Sequence, residues 1–454
     1  MIPFVVVLTV IVFGWAAWYW RAALARFRDR SRRAVENARE RWPLAQYIPD
    51  AGTALLAILA VSLLLRAAWL TLPQGALIFD EAYYVNASRL VAGIHPPAGQ
   101  HYADQPLYLD PNTEHPPLGK ALIAASILFF GDNGLGWRVP SVVAGMVALV
   151  AVYGLVRALR GRPWVAVLAT ALYSLDILSF VHGRIGTLDM MSLAFLLLGA
   201  WLAVRKDWIL AGAMLALGTL VKVPGVYGFG AVFLWLALAL WRTSRKRRLT
   251  REDLVPMAAL VGAYAFVGFA GLWLLDLRFT TYATPIDHIN RMLGYGFALQ
   301  GGFSPSGITS APWQWLVNDG QFDYLKTAVN TVVNGTVTGS RAVIEFRALL
   351  NPVLIGSASV GVLYGAWLTW RRGEPIAAFG LLWIAANYLP YFPLVLFSHR
   401  ISYFYYILPA VPGLALVLTA FLVHARLPRA VVIGFVIVTA IAFVAYFPFR
   451  EIPA

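Results

Sequence analysis

The chain has 454 residues, of which 60% are hydrophobic and only 13% charged, and a soluble domain cannot hide that much apolar surface at a mean hydropathy of +0.69. A formal charge of +14 does not point to nucleic acid here, because a membrane protein keeps Lys and Arg on its cytoplasmic side. With no cysteine, a disulfide framework and a thiolate metal site are excluded.

In chain order, about twelve stretches approach the roughly 20 apolar residues that span a bilayer core. They lie near 2–20, 51–72, 139–157, 163–181, 188–204, 207–222, 224–241, 254–276, 349–370, 376–397, 402–424 and 430–447. The first lacks a basic leader and a small-residue cleavage site, so it reads as a retained span rather than a signal peptide. The connections then test the count, since basic loops must all fall on one side. Arg21–Arg41, Arg157–Arg162, Arg205–Lys206, Arg242–Arg251, Arg371–Arg372 and Arg426–Arg429 do alternate in this way, and they hold 23 of the 36 Lys and Arg. These loops are therefore cytoplasmic, with both termini on the opposite face. The expected fold is an all-α polytopic membrane protein in which residues 1–454 form one domain, with 1–50 an added span and basic loop.

Two long connections, 73–138 and 278–348, fall on the outer face and are rich in Pro, Gly, Asn, Asp and aromatics. Loops of that length usually carry function. Within the first, Ala121–Phe130 is too short to cross at about 1.5 Å per residue against a core of about 30 Å, which predicts an interfacial helix. In the second, Trp313, Trp315, Phe322 and Tyr324 suit the headgroup level.

Polar residues at the outer ends of the spans carry the chemistry. Asp80 and Glu81 follow the second span after a short apolar lead, and paired carboxylates there meet water, a cation or a substrate. Glu114-His115-Pro116-Pro117-Leu118-Gly119-Lys120 sets an acid, an imidazole and an amine around a Pro-Pro corner that blocks helix until it has passed. On the next outer turn, Arg184 and Asp189 would diverge by about 140° on a continuous helix, so their pairing needs the bend that Gly183 and Gly186 permit. Lys222 and the run Ser398-His399-Arg400 place further cations on the side where they are disfavoured. Tyr403, Tyr405 and Tyr406 behind them read as a headgroup belt. Cations can neutralise a phosphate, and a carboxylate beside them can act as general base toward a hydroxyl.

This ordered set, with Gly136-Trp137-Arg138-Val139-Pro140-Ser141, Ser310 to Trp315, Asn351-Pro352 and His399 to Pro412, resembles the dolichyl- or polyprenyl-phosphate-mannose protein O-mannosyltransferases over residues 66–425. The resemblance implies the GT-C membrane fold, with about 12 transmembrane helices and interfacial helices in the first outer loop. It implies Asp80 as catalytic base with Glu81 beside it. Arg184, Lys222 and Arg400 would hold the lipid phosphate, and Glu114, His115, Lys120, Arg138, Asp189 and His399 would complete the substrate site. The reaction would be inverting transfer of a sugar, mannose in this family, from a polyprenyl-phosphate carrier to Ser or Thr of exported protein at the extracytoplasmic face of the cell membrane. No cofactor or metal is expected, although two carboxylates and His115 could hold a divalent cation. The large soluble insertion of eukaryotic members is missing from the late outer loop. Two alternatives remain. Aminoarabinose transferases of lipid A share the architecture, so a glycolipid or cell-wall glycan is the rival acceptor. A lipid-linked sugar transporter or flippase would instead place polar groups at mid-membrane depth, whereas here they cluster at the outer ends, with deep residues such as Asp176 and Arg66 as exceptions.

Overall fold

The computed structural model describes residues 50–301, 308–333 and 336–451. The expected first span and its basic loop at 21–41 lie outside these residues. The chain divides into two units, 1–64 and 65–454, and the site lies wholly within the second. Helix α1 (Ala51–Ala67) begins the described chain, and α2 (Glu81–Ala92) and α3 (Leu118–Phe130) occupy the first long connection. Then come α4 (Gly134–Ala158), α5 (Pro163–Ser174), α6 (Ile177–His182), α7 (Leu188–Val204), α8 (Trp208–Val221), α9 (Val226–Ser244) and α10 (Arg251–Phe279). The second connection holds α11 (Pro285–Ala298), the single turn α12 (Pro312–Trp315) and strands β1 (Phe322–Val333) and β2 (Thr336–Ala348). The chain ends with α13 (Pro352–Gly356), α14 (Ala358–Arg372), α15 (Pro375–Tyr388), α16 (Tyr391–Leu396), a 3₁₀ segment at Phe404–Ala410, α17 (Val411–His424) and α18 (Arg429–Ala445).

Among the described residues the fold is mostly helical, and five segments are long and apolar enough to cross a membrane: Gly134–Ala158, Val223–Ser244, Arg251–Phe279, Pro375–Leu396 and Phe404–His424. Six further apolar helices are shorter. Several expected spans are broken by local chemistry. The stretch 163–181 divides at Asp176, whose carboxylate caps α6 through the Ser179 N–H at 2.8 Å and also accepts from the Asn351 N–H at 3.1 Å. This deep acid is a satisfied helix junction. The stretch 376–397 divides before α16, where Pro390 is the N-cap.

The all-α expectation needs correction in the second long connection, where β1 and β2 form an antiparallel hairpin from Phe322↔Ala348 to Val333↔Thr336. β-Branched residues, which favour strands, are frequent from Thr327 onward. The stretch Ala121–Phe130, expected to be helical, lies within α3. This helix buries Gly119, Ala121, Ile123, Ala124 and Ile127 while Leu128, Phe129 and Phe130 stay exposed at its end.

The helical body is tight where small residues meet large ones. α4 packs against α7, and α8 against α7 and α10. A Cβ built on Gly154 of α4 would come within 2.2 Å of the Trp201 indole of α7. Gly154→Ala must therefore displace a rigid ring between two spans. It is expected to cost about 1–3 kcal/mol, read as a lowered unfolding midpoint in detergent.

Candidate active site

The site is assembled from the turns at the ends of α1, α4, α6 and α8, together with both long connections. Its foundation is Glu81, which is fully buried. Arg138 Nε and Nη2 donate to Oε1 and Oε2 at 2.8 and 2.9 Å, a planar fork on a planar acceptor. The Gly186 N–H donates to Oε1 at 2.6 Å and the Ile78 N–H to Oε2 at 2.7 Å, so each carboxylate oxygen accepts two bonds. Arg138 also donates to the Leu70, Leu72 and Ala76 carbonyls, which lie on the chain leading into Asp80. Gly186 has to be glycine for this approach, since a Cβ would sit 2.8 Å from the Trp137 carbonyl oxygen.

Held this way, Phe79 adopts a left-handed backbone (φ 55°) that a bulky residue takes only under constraint. Its ring stacks on Tyr324 at 4.2 Å and meets Tyr405 edge-on at 5.2 Å. Asp80 is then the N-cap of α2, yet its side chain makes no capping bond. The Tyr405 hydroxyl lies 3.5 Å from Asp80 Oδ2, a long contact. Burial among these rings pushes the Asp80 carboxyl up to about 7; Lys222 opposes this, and Asp189 and Glu114 add to it.

Lys222 Nζ donates to Asp189 Oδ1 at 2.7 Å and lies 5.2 Å from the Tyr405 ring and 6.0 Å from that of Tyr84. Glu114 accepts from Asn112 Nδ2 at 2.5 Å. Beside it, His115 presents an Nδ1 without a hydrogen-bond partner. Burial, reinforced by Lys222, Lys120 and Arg400, holds this imidazole well below its usual range, so it is neutral. Arg400 donates to the Gly296 carbonyl at 2.6 Å and lies over the Tyr406 ring at 5.8 Å. Its charge is felt at Tyr403, as is that of Asp80. The structure thus brings Asp80, Glu114, His115, Asp189, Lys222 and Arg400 around one wall of tyrosines.

Other expected site residues do not face this space. Arg184 donates to the Ala68 carbonyl at 2.7 Å and to that of Leu65 at 3.2 Å, with its guanidinium over Phe346 and Phe449. It closes the end of α1 instead of joining a clamp, because the carbonyls left open by a helix C-terminus attract a fixed cation. Lys120 is fully buried and bound to Asp110 Oδ2 at 2.7 Å, to the Asn112 carbonyl and to the His115 carbonyl at 2.8 Å. It shapes the loop that carries Glu114 and His115. Arg138 and Glu81 are consumed by each other and by backbone, and His399 is exposed.

Sequence reasoning missed three members. Tyr405 and Tyr324 were assigned to the headgroup belt, but both are buried at the site. His182 joins them, with Nε2 2.8 Å from the Tyr324 hydroxyl. The available signal was position: Tyr405 follows Arg400 closely, and His182 opens the turn that carries Arg184 and Asp189.

Residues 114–273 match a family model described as dolichyl-phosphate-mannose-protein mannosyltransferase. The chain is similar to a polyprenol-phosphate-mannose–protein mannosyltransferase of Mycobacterium tuberculosis, 26% identical over 82% of this chain and 81% of that protein. It is 24% identical to the protein of the same description from Corynebacterium glutamicum, over 73% of this chain and 74% of the relative. Its fold matches the S. cerevisiae protein O-mannosyltransferase complex bound to the sugar donor, with a TM-score of 0.63, 11% identity and coverage of 89% and 90%. The resemblance carried by the motifs is therefore found again by whole-chain comparison, and the structural match shows a shared fold.

The Glu81–Arg138 pair makes a direct prediction. Glu81→Gln keeps the shape but leaves a buried guanidinium uncompensated, which is expected to cost about 3–5 kcal/mol. The loss should appear as reduced folded yield and a lower unfolding midpoint, while Asp80→Asn, which breaks no strong bond, leaves the midpoint near that of the parent.

Proposed function

We propose that this chain is an inverting glycosyltransferase that moves mannose from a polyprenyl-phosphate carrier to Ser or Thr hydroxyls of exported protein. It would act at the extracytoplasmic face, from a body of about twelve transmembrane helices. The observation that carries this reading is the uncommitted carboxylate of Asp80 beside Lys222. Glu81, Asp110 and Asp189 each hold a short bond to a cation, whereas Asp80 has only the long Tyr405 contact.

The chemistry follows from that arrangement. An acceptor hydroxyl attacks the sugar anomeric carbon as the carbon–oxygen bond to phosphate breaks. The hydroxyl proton passes to Asp80, and the electron pair leaves with the phosphate oxygen. A single displacement inverts the anomeric centre and needs one base. Lys222 bonds Asp189 through one of its three N–H donors, leaving two for the phosphate. Arg400 approaches the same tyrosine wall from the opposite loop and supplies a second cation. Charge grows on the phosphate as its bond breaks, so fixed cations favour the transition state over the ground state. Neutral His115, with its free Nδ1, suits a sugar hydroxyl. Because Lys222 and Arg400 can neutralise the leaving group, no divalent cation is required in this scheme.

Purified enzyme incubated with labelled polyprenyl-phosphate-mannose and a Ser/Thr-rich peptide should place the label on the peptide. Label on membrane lipid instead would reassign the acceptor, and sugar flux through proteoliposomes without covalent product would reassign the class. Asp80→Asn is expected to lower kcat by roughly 10²- to 10⁴-fold with folding intact. The base acts when deprotonated, and its carboxyl titrates near 7, so kcat/KM should fall about tenfold per unit as pH drops below that value. Arg400→Lys keeps the charge but loses the planar fork and should retain partial activity. Transfer should continue in excess chelator; loss that Mg²⁺ or Mn²⁺ restores would show that these cations are insufficient.

A further inference from the structure

Tyr324 reaches the site through an irregularity in the hairpin. β1 and β2 pair Asp323 with Arg347 and Leu325 with Phe346, which leaves Tyr324 with no opposite residue. A bulge of this kind re-aims one side chain out of the strand's alternation. Here the re-aimed ring is buried against Phe79, with its hydroxyl 2.8 Å from His182 Nε2. On the other side of the imidazole, Nδ1 lies 3.2 Å from Thr187 Oγ1 and 3.6 Å from Asp189 Oδ2. That carboxylate oxygen has no hydrogen-bond partner, and its twin binds Lys222. A chain of contacts therefore runs from the late outer hairpin to the cation beside Asp80.

The direction of the chain follows from what each atom can do. The Thr187 and Tyr324 hydroxyls can each donate or accept, but a lone pair on Nδ1 would face the Asp189 carboxylate 3.6 Å away, so the ring hydrogen is assigned to Nδ1, which donates to Thr187 Oγ1, and Nε2 then accepts from the Tyr324 hydroxyl. We infer that Tyr324 and His182 are positioning residues: the Tyr324 hydroxyl fixes the tautomer of His182, whose Nδ1–H, bonded to Thr187 Oγ1, turns its positive end toward the Asp189 carboxylate and so steadies it and, through it, Lys222 beside Asp80. This rests on the roles of Asp80 and Lys222 proposed above. A second hydrogen bond of this sort commonly decides which ring nitrogen carries the proton. The titratable groups around His182 are Asp189, Lys222, Tyr324 and Tyr405, with Asp80 beyond them. Burial carries the imidazole down to about 4, against the pull of Asp189, so the ring acts as a neutral relay at working pH. Without the Tyr324 hydroxyl, the other tautomer turns a lone pair toward Asp189. The carboxylate swings away, and Lys222 is released toward Asp80, lowering its basicity.

Tyr324→Phe in the full chain is expected to lower kcat on the order of 10-fold, with the donor KM within roughly twofold, and to move the acid limb of kcat/KM to lower pH. His182→Ala should match it, the double variant should lose no more than either single change, and His182→Gln, which can both accept and donate, should retain the most activity. A purely structural role would lower the folded fraction without moving the limb. Additive losses, or a limb that stays in place, overturn the inference. ¹⁵N spectra of histidine-labelled protein, with the resonance identified by its loss in His182→Gln, should show the Nδ1–H tautomer; the Nε2–H tautomer overturns the relay whatever the kinetics. Absence of transfer by the parent enzyme would instead overturn the reading of Asp80, and the spectra would still decide the relay.

Discussion

The buried pair between Glu81 and Arg138 is the constraint on which the rest of the site depends. Its carboxylate binds backbone N–H groups at Ile78 and Gly186, while its guanidinium binds three carbonyls between Leu70 and Ala76. One ion pair thereby joins the chain after α1, the start of α2, the first turns of α4 and the bend before α7. Burying two charges costs more solvation than their attraction returns unless every remaining donor and acceptor is used. Here they are used, so the pair specifies a single arrangement of four segments. Asp80 benefits by adjacency: its neighbour absorbs the anchoring, and its own carboxylate is left without a structural task.

The acids in and around the site divide according to what they touch. Asp110 is held by Lys120 and fixes the loop of Glu114 and His115; Asp189 is held by Lys222; Asp276, fully buried, binds His288 at 2.7 Å where the second connection meets the first. Only Asp80 stands against aromatic rings with a cation near but not bonded. Rings raise its proton affinity by excluding water, and Lys222 limits the rise, which leaves the group near neutrality where a general base is most effective.

The hairpin of the second connection contributes in a way that a plain loop could not. A strand alternates its side chains, and the bulge at Tyr324 departs from that alternation at the position where Phe79 and His182 need a partner. The part of the connection that precedes the hairpin is anchored as well. The Ser310 N–H donates to the Ser402 carbonyl, and Trp315 Nε1 donates to Ser310 Oγ. These bonds tie the connection to the segment that carries Arg400 and Tyr405.

By itself the sequence determined the class of the protein and pointed to several residues that the structure gathers in the candidate site. Apolar runs and alternating basic loops depend on transfer free energy and charge placement, which are additive along a chain and survive without knowledge of contacts. Ionisable residues at the outer ends of those runs, such as Asp80, Lys222 and Arg400, were legible for the same reason. The tertiary structure decided which of them are spent on holding the fold. Arg184 and Arg400 are both outer arginines in sequence, yet one closes a helix end and the other reaches the tyrosine wall. Tyr405, Tyr324 and His182 enter the site only because distant segments converge, and the hairpin exists because cross-strand pairing outweighs the surrounding helical pattern. Hydrogen bonds between segments more than a hundred residues apart leave no periodic mark on the chain, so a group's role is set by the partner that folding brings within about 3 Å of it.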